Sequence, residues 1–388
     1  MSYKSFEFSL KTDYVFAEDA VEALKTQLEK HQPKKPFVLC LDFMTHIPTQ
    51  ALADLNMPYV MRTDVISNPT DVYVNSCAAE AAAAGCDFVI GIGGGSVIDS
   101  CKAIGYGLNY DGDVWELYQR KAAPTACTPI GCVLTIAAAG SEGSPDSVIT
   151  YEDGMFKRGA TGEGLRPKFT ILNPALTQTL PPYQTACGIT DIMAHLYERY
   201  LTNTTDVECT DRVIEALMLT MINEAPKVMA DPNDYQARAN ILWAGMMAHN
   251  NCCGVGRTQD WASHDIEHEL SAIYDCAHGA GLAVVMPAVF TYNMQHNVMR
   301  FAQAAVRVWG CQMDFEHPER TAKAGIEALR SFLISIGMPK NFAELGAKEE
   351  DIERMAHCAC HGDARQGTIG GFVSLNQQDV ENIYRLML

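Results

Sequence analysis

The first 180 residues alternate short apolar runs with stretches of helical composition. Phe37–Leu41 (FVLCL) and Phe88–Ile92 (FVIGI) are unbroken apolar runs of strand length, and Val133–Ile136 is a further one. Runs without polar alternation predict strands covered on both faces. Asp19–His31, Ile47–Leu55, Asp71–Ala84 and Ser96–Gly105 have the composition of helices, with Gly85 ending the third. Tyr59–Met61 restarts an extended segment. Strands alternating with helices predict an α/β layer with a largely parallel sheet.

From about Pro181 the period changes. Apolar residues recur every three or four positions in Ile189–Tyr200, Asp211–Ala225, Tyr235–His249 and Pro318–Ile336, and no strand pattern intervenes. That spacing predicts an all-α region. Leu180-Pro181-Pro182 marks the boundary, because a Pro pair suits both a linker and a helix start. The expected organisation is therefore an α/β domain over residues 1–180 and an all-helical domain over 181–388. The chain's 388 residues agree with two or three domains.

Composition narrows the function classes. The formal net charge of −18 would repel phosphate backbones, so no nucleic-acid partner is expected. No apolar run reaches the roughly 18 residues of a membrane span, and no membrane partner is expected either. The amino terminus, MSYKSFEFSLK, lacks the apolar core of a secretory signal. Fourteen cysteines then read as reduced thiols in a cytoplasmic protein. One local group, His357-Cys358-Ala359-Cys360-His361, has soft-metal donors. It lies in a stretch of helical composition, where Cys360 and His361 point apart and cannot easily share one ion.

The first strong motif is Phe88–Asp99, FVIGIGGGSVID. A buried strand runs into three consecutive glycines and then a helix. Glycines allow close backbone approach and positive φ, and a helix start offers free N–H groups to a pyrophosphate. Ser96 can cap that helix or bond an oxygen directly. A tight turn needing glycine for geometry alone is the competing explanation. The spacing matches neither the P-loop nor GxGxxG. Asp42, ending the earlier strand, can accept hydrogen bonds from both adenosine ribose hydroxyls and would repel a 2′-phosphate, favouring NAD(H) over NADP(H). An aspartate there also suits a helix cap or a turn.

The second motif lies in the helical half. Asp191 and His195 (DIMAH), and His264 and His268 (HDIEH), are two pairs four residues apart, each on one helix face. His278 follows in CAHGAGL, at a loop or helix start. Imidazoles with one carboxylate suit a divalent metal such as Fe or Zn. Pattern alone leaves open which of His264, His268 and His278 are ligands and which relays a proton. HDIEH differs from the HExxH of zinc proteases, since Asp265 stands where the general base Glu belongs and Glu267 is at the wrong offset. A pyrophosphate loop together with a metal set implies hydride chemistry on an alcohol or aldehyde, with the nicotinamide at the carboxyl edge of the sheet.

Five segments also resemble a known family. GGGSVIDSCK (Gly93–Lys102), TIAAAGSE (Thr135–Glu142), DIMAHLYERY (Asp191–Tyr200), HDIEHEL (His264–Leu270) and HGAGLAVVMP (His278–Pro287) follow the order of the iron-containing, or group III metal-dependent, alcohol dehydrogenases. PKFTILNPALTQTLP resembles the butanol dehydrogenase branch. The resemblance implies a dehydroquinate synthase-like two-domain fold, with an α/β dinucleotide-binding domain and an all-α metal-binding domain. It implies that Asp191, His195, His264 and His278 hold the metal and that His268 relays the proton. It implies that Gly94, Gly95, Ser96 and Asp99 face the pyrophosphate, that Thr135 and Lys157 are further cofactor contacts, that Asn68 lies near the nicotinamide ribose, and that Asp42 influences cofactor choice. A homodimer or higher homo-oligomer is implied as well. Two departures stand out: Ala139 replaces the family's usual Thr, and VFAEDA (Val15–Ala20) lacks the glycines usual after the first strand.

The expected activity is hydride transfer between a nicotinamide cofactor and a primary alcohol or aldehyde. The alternative of the same fold is an NAD- and metal-binding lyase of the dehydroquinate synthase type. The absence of Lys and Arg between His264 and His278 counts against its phosphate- and carboxylate-bearing substrate. A non-enzymatic dinucleotide sensor is the other alternative, and the intact metal set counts against it.

Overall fold

The computed structural model describes residues 4–123, 126–362 and 365–388. The chain forms two compact units, Ser9–Leu180 and Pro181–Leu388, and residues 4–8 belong with the second.

In the first unit the chain runs β1 (Asp13–Phe16), α1 (Ala20–His31), β2 (Pro36–Cys40), α2 (His46–Asp54), β3 (Val60–Arg62), α3 (Asp71–Ala83), β4 (Phe88–Gly93) and α4 (Gly95–Gly107). It continues through α5 (Trp115–Tyr118), β5 (Ile130–Leu134), β6 (Asp146–Tyr151), β7 (Phe156–Thr161) and β8 (Phe169–Leu172). Six strands form one sheet in the order β1-β8-β5-β4-β2-β3, and all its pairings are parallel. Every residue of β2, β4, β5 and β8 is buried, as expected for a parallel sheet covered on both faces. On one face Leu24 and Leu28 of α1, with Ile47, Ala51 and Leu52 of α2, pack against Val38, Ile90, Ile92, Val133 and Ile171. Each such large aliphatic side chain contributes about 1.5–3 kcal/mol of burial.

The expected third strand is shifted. β5 begins at Ile130 and ends at Leu134, not Val133–Ile136, because its ladder partner β4 ends at Gly93, opposite Leu134. β1 and β8 add an edge that the apolar pattern did not single out, and β6 and β7 form a separate antiparallel hairpin. The VFAEDA loop is settled without glycine. Asp19 caps α1 by accepting hydrogen bonds from the amides of Val21 and Glu22 at 2.9 and 3.1 Å. Ala17 donates its amide to Leu172 O at 3.0 Å.

The second unit is helical: α6 (Pro182–Tyr200), α7 (Glu208–Ala230), α8 (Tyr235–His249), α9 (Ala262–Tyr274), α10 (His278–Asn293), α11 (Val298–Arg307), α12 (Pro318–Ser335), α13 (Phe342–Leu345), α14 (Ile352–His361) and α15 (Gln377–Arg385). Pro182 occupies the first turn of α6, where its missing N–H costs no hydrogen bond. From Thr185 to Tyr200 every residue of α6 is buried, polar ones included. A helix buried all round, carrying Asp191, His195, Glu198 and Arg199, must satisfy those groups with neighbouring side chains or a ligand. Gly279 lets α10 close on α6: a Cβ there would lie 2.1 Å from the backbone oxygen of Cys187. On α14, His357 and His361 stack with ring centroids 5.2 Å apart, whereas Cys360 is turned into the core.

Candidate functional site

In the α/β unit, the end of β4 leads directly into α4. Gly94 is the cap residue, with φ −94° and ψ −161°, and no side chain caps the helix. Ser96 therefore lies inside the first turn and does not cap it. None of Gly93, Gly94 and Gly95 has positive φ, contrary to one reason for expecting glycine there. The glycines are required by packing. A Cβ on Gly93 would come within 2.4 Å of Val97 Cγ2, and one on Gly94 within 2.4 Å of Ile136 Cγ2. What fits an anion is the uncapped helix start, with its first amides and Ser96 only partly covered. Ala139 stands over that start, its Cβ 3.2 Å from where a Gly95 Cβ would lie.

Of the other expected cofactor residues, Asp42 and Thr135 follow strands at this edge of the sheet, whereas Lys157 belongs to the β6–β7 hairpin. Cys40 pairs with Ile92, and Leu41 N donates to Ile92 O at 3.1 Å, so β2 and β4 end side by side. Asp42 follows, exposed. Its carboxylate caps no helix; its backbone carbonyl accepts the amide and hydroxyl of Thr45. Thr135 is buried, and its amide donates to Gly93 O at 3.1 Å. Lys157 Nζ donates to Asn68 Oδ1 at 3.0 Å, bringing those two residues together. Asn68 has φ +50°, a conformation that asparagine tolerates better than most residues. Asp99 is turned into the protein, where it accepts a hydrogen bond from Ser141 Oγ at 2.5 Å. Ser141 also accepts one from the buried Lys102 Nζ at 2.9 Å. Burial pushes the Asp99 carboxyl up to about 6, against the pull of Lys102.

In the helical unit four side chains converge on one point. Asp191 Oδ1 lies 3.5 Å from His195 Nδ1, 3.5 Å from His264 Nε2 and 3.8 Å from His278 Nε2. Asp191 and His195 come from adjacent turns of α6, His264 from the first turn of α9, and His278 from the first residue of α10. Asp191 Oδ1, His195 Nδ1 and His264 Nε2 are buried and make no hydrogen bond. Orphaned polar atoms at such depth are costly unless a ligand joins them. Donors about 2.1 Å from a tetrahedral metal stand about 3.4 Å from one another, close to the three distances from Asp191 Oδ1, and Asp191, His195 and His264 form one donor group. The residues present therefore fit a metal ion.

The surroundings orient two of these imidazoles. Glu198, wholly buried, bonds His264 Nδ1 through Oε2, while its Oε1 accepts the amides of Ser263 and His264 at 2.8 and 3.2 Å. Glu267, also wholly buried, bonds His278 Nδ1. Each carboxylate fixes the proton on Nδ1 and turns Nε2 toward Asp191, the usual support of a metal-binding histidine. Burial alone would lower His264, but Glu198 and Asp191 outweigh it and hold the imidazolium up to about 10. Burial, with His249 and His264 nearby, holds His195 well below its ordinary value. Asp191 is pushed up by burial but held lower overall by His278 and His264. Metal binding competes with a proton at His264 and meets little competition at His195.

His268 is buried one turn beyond His264, its ring centroid 6.3 Å from that of His264 and 5.5 Å from that of His278. It forms a second donor group with Glu267 and His278, and His278 links that group to Asp191 at 3.8 Å. Sequence pattern missed Glu198, Glu267 and the second layer behind His195. There the His249 ring lies tilted against that of His195, centroids 4.1 Å apart, and its Nδ1 lies 2.9 Å from Arg199 Nη2. Glu198 is seven residues after Asp191, two turns along the same helix face, and that spacing was the available signal. Among the described residues, His357–His361 forms no cluster of three donors.

Comparison with known proteins decides the family. The profile described as iron-containing alcohol dehydrogenase matches residues 11–174, and that of the Fe-containing alcohol dehydrogenase family, C-terminal, matches 185–388. The chain belongs to the iron-containing alcohol dehydrogenase family. It is 38% identical over 321 residues to the probable NADH-dependent butanol dehydrogenase 1 of Bacillus subtilis, covering 83% of this chain and 82% of the relative. It is 35% identical to the NADPH-dependent aldehyde reductase YqhD of Escherichia coli over 68% of this chain and 69% of that one. Among solved structures, NADH-dependent butanol dehydrogenase A from Thermotoga maritima superposes with a TM-score of 0.94 at 30% identity, over 100% of both chains. Within the family the chain is butanol dehydrogenase-like, an NAD(P)-dependent alcohol dehydrogenase rather than a lyase.

Proposed function

We propose that this enzyme reduces aldehydes, and oxidises the matching primary alcohols, with NAD(H) as the preferred cofactor. Asp191, His195, His264 and His278 hold a divalent metal, iron or zinc. The observation that carries this reading is the convergence of three imidazole nitrogens within 3.5–3.8 Å of one buried carboxylate oxygen. When bound, the metal supplies Lewis acidity toward an alcohol or aldehyde oxygen, and the nicotinamide gives or takes the hydride. Glu198 and Glu267 keep His264 and His278 in the tautomer that presents Nε2. His268 takes up or returns the alcohol proton at a ring nitrogen. The first amides of α4, with Gly94, Gly95 and Ser96, bind the pyrophosphate, and Asn68, Thr135 and Lys157 complete the cofactor contacts, with Asp99 held behind them by Ser141. Asp42 binds the adenosine ribose and disfavours a 2′-phosphate, in keeping with the NADH dependence named for the Bacillus relative. We also propose a domain boundary at Leu180–Pro181, where the Pro pair stands, a cytoplasmic location on the reduced cysteines, and a homodimer or larger assembly on the family resemblance.

The test is oxidation of NADH, with NADPH in parallel, by anaerobically purified protein given butyraldehyde, with iron or zinc added to separate aliquots. Metal-dependent turnover that prefers NADH supports the reading. Preference for NADPH removes the role given to Asp42, and no turnover with either cofactor removes the substrate class.

A further inference from the structure

A further pair of reactive groups is drawn together in the helical unit. Cys252 and Cys253 are neighbours in the turn after α8, and their Sγ atoms stand 3.6 Å apart. Consecutive side chains point to opposite sides of a strand and diverge around a helix, so regular structure would separate these thiols. The turn that joins them is built. Asn250 Oδ1 accepts the Cys252 amide at 2.9 Å, Asn251 takes φ +76°, and Gly254 donates its amide to Asn251 O at 3.1 Å. Gln259 Nε2 ties Asn251 Oδ1 and Gly254 O at 2.9 and 3.2 Å. Both sulfhydryls face one acceptor, Met247 O, at 3.2 and 3.7 Å. Cys253 is buried, whereas Cys252 is only partly covered.

The separation says what the pair can hold. It is far longer than the about 2.05 Å of a disulfide bond. It is of the size that one bridging atom spans: two sulfurs at about 2.3 Å from a tetrahedral atom stand about 3.7 Å apart, and pyramidal trivalent arsenic, with narrower angles, needs them only slightly closer. The hydrogen bond between the two sulfurs, with Arg199 nearby, lowers the Cys252 thiol, while the same bond and burial push Cys253 well up.

We propose that Cys252 and Cys253 form a vicinal dithiol site for trivalent arsenic compounds. An organic arsenoxide condenses with both thiols. Two As–S bonds form, the arsenic–oxygen bond breaks, and the two thiol protons leave with the oxygen as water. Arsenic stays trivalent and no electrons are exchanged. Neither thiol is one of the residues given a role in the metal site or in the proposed reaction, although Arg199, beside them, also donates to His195 O.

The experiment is titration of the full-length, metal-loaded protein with phenylarsine oxide, read by native intact mass and by peptide mapping. Expected is a single phenylarsenic group per chain that resists excess 2-mercaptoethanol, is removed by 2,3-dimercaptopropanol and maps to the peptide carrying Cys252 and Cys253. Cys252→Ser and Cys253→Ser should each lose the monothiol-resistant uptake. No such uptake by the wild type, its mapping to another peptide, or its persistence in either variant would overturn the proposal. Mapping on the wild type gives the answer even where a variant fails to fold.

Discussion

Glu198 grips His264 twice: one carboxylate oxygen bonds the ring Nδ1, and the other accepts the His264 backbone amide at 3.2 Å. The ring and the start of its helix are thus held by one side chain from α6. Glu198→Gln should weaken metal binding by about 10–100-fold, the usual effect of losing such a support. Competition with a chelator of known affinity would measure it, and affinity unchanged within twofold would refute the role.

His264 and His268 share a helix face but are expected to fail differently. His264→Ala should abolish bound metal and turnover together. His268→Ala should keep the metal while turnover falls by about 10²–10⁴-fold and the pH–rate profile loses one limb. Metal content by elemental analysis separates the two, and metal loss in His268→Ala equal to that in His264→Ala would make His268 a ligand.

Asp42 stands two residues beyond the end of β2, beside β4, and is exposed. Asp42→Ser should raise the NADPH-to-NADH ratio of kcat/KM by about tenfold or more, that is, by at least about 1.4 kcal/mol. The comparison needs only initial rates with both cofactors. An unchanged ratio would place the discriminating group elsewhere.

Asp260 gives a pH dependence with a definite sign. It is 1% exposed, and burial, with the charge of Glu198, pushes its carboxyl up to about 6. A folded value above the unfolded 3.8 means a contribution that is full below pH 3.8 and lost as pH rises through about 6. Asp260→Asn keeps an acceptor for the Gly371 and Phe372 amides. It should therefore flatten the fall in stability between about pH 4 and 6, an effect on the order of 3 kcal/mol. Denaturant melts of both proteins across that range would show it, and parallel curves would contradict it.

Gly279 sets the approach of α10 to α6. Adding a methyl group in Gly279→Ala drives it into backbone, which cannot rotate away. The expected cost is about 1–3 kcal/mol. Because His278 is the next residue, metal affinity should fall as well. Thermal unfolding with and without added metal tests both, and an unshifted melting temperature would mean that the helices part freely.

The sheet was legible where strands are wholly apolar. β2 and β4 match FVLCL and FVIGI to within a residue. β6 and β7 were not, since a hairpin written DSVITY and FKRGAT carries Lys157, Arg158 and little alternation. The carboxylate–imidazole cluster around Asp191 was legible because pairs at four-residue spacing must share a helix face. Glu198 and Glu267 were not, because a glutamate on a helix usually faces water, and only the packing of α6, α9 and α10 buries these two. The glycine run was read correctly as a strand-to-helix junction but for a partly wrong reason, as its φ angles are ordinary and its neighbours Val97 and Ile136 leave no room for a Cβ.

Lys4 donates its amide to Gly256 O at 2.9 Å and its Nζ to Thr258 Oγ1 at 2.8 Å, across 254 residues of chain in the second case. The ribosome therefore releases the first strap of the helical unit long before anything it binds exists. Residues 9–180 have their whole sheet available early, whereas residues 4–8 must wait until the turn after α8 has emerged. A fragment beginning at Pro181 would lack a part of its own unit, and a tag fused closely to the amino terminus would hang on a segment that docks late.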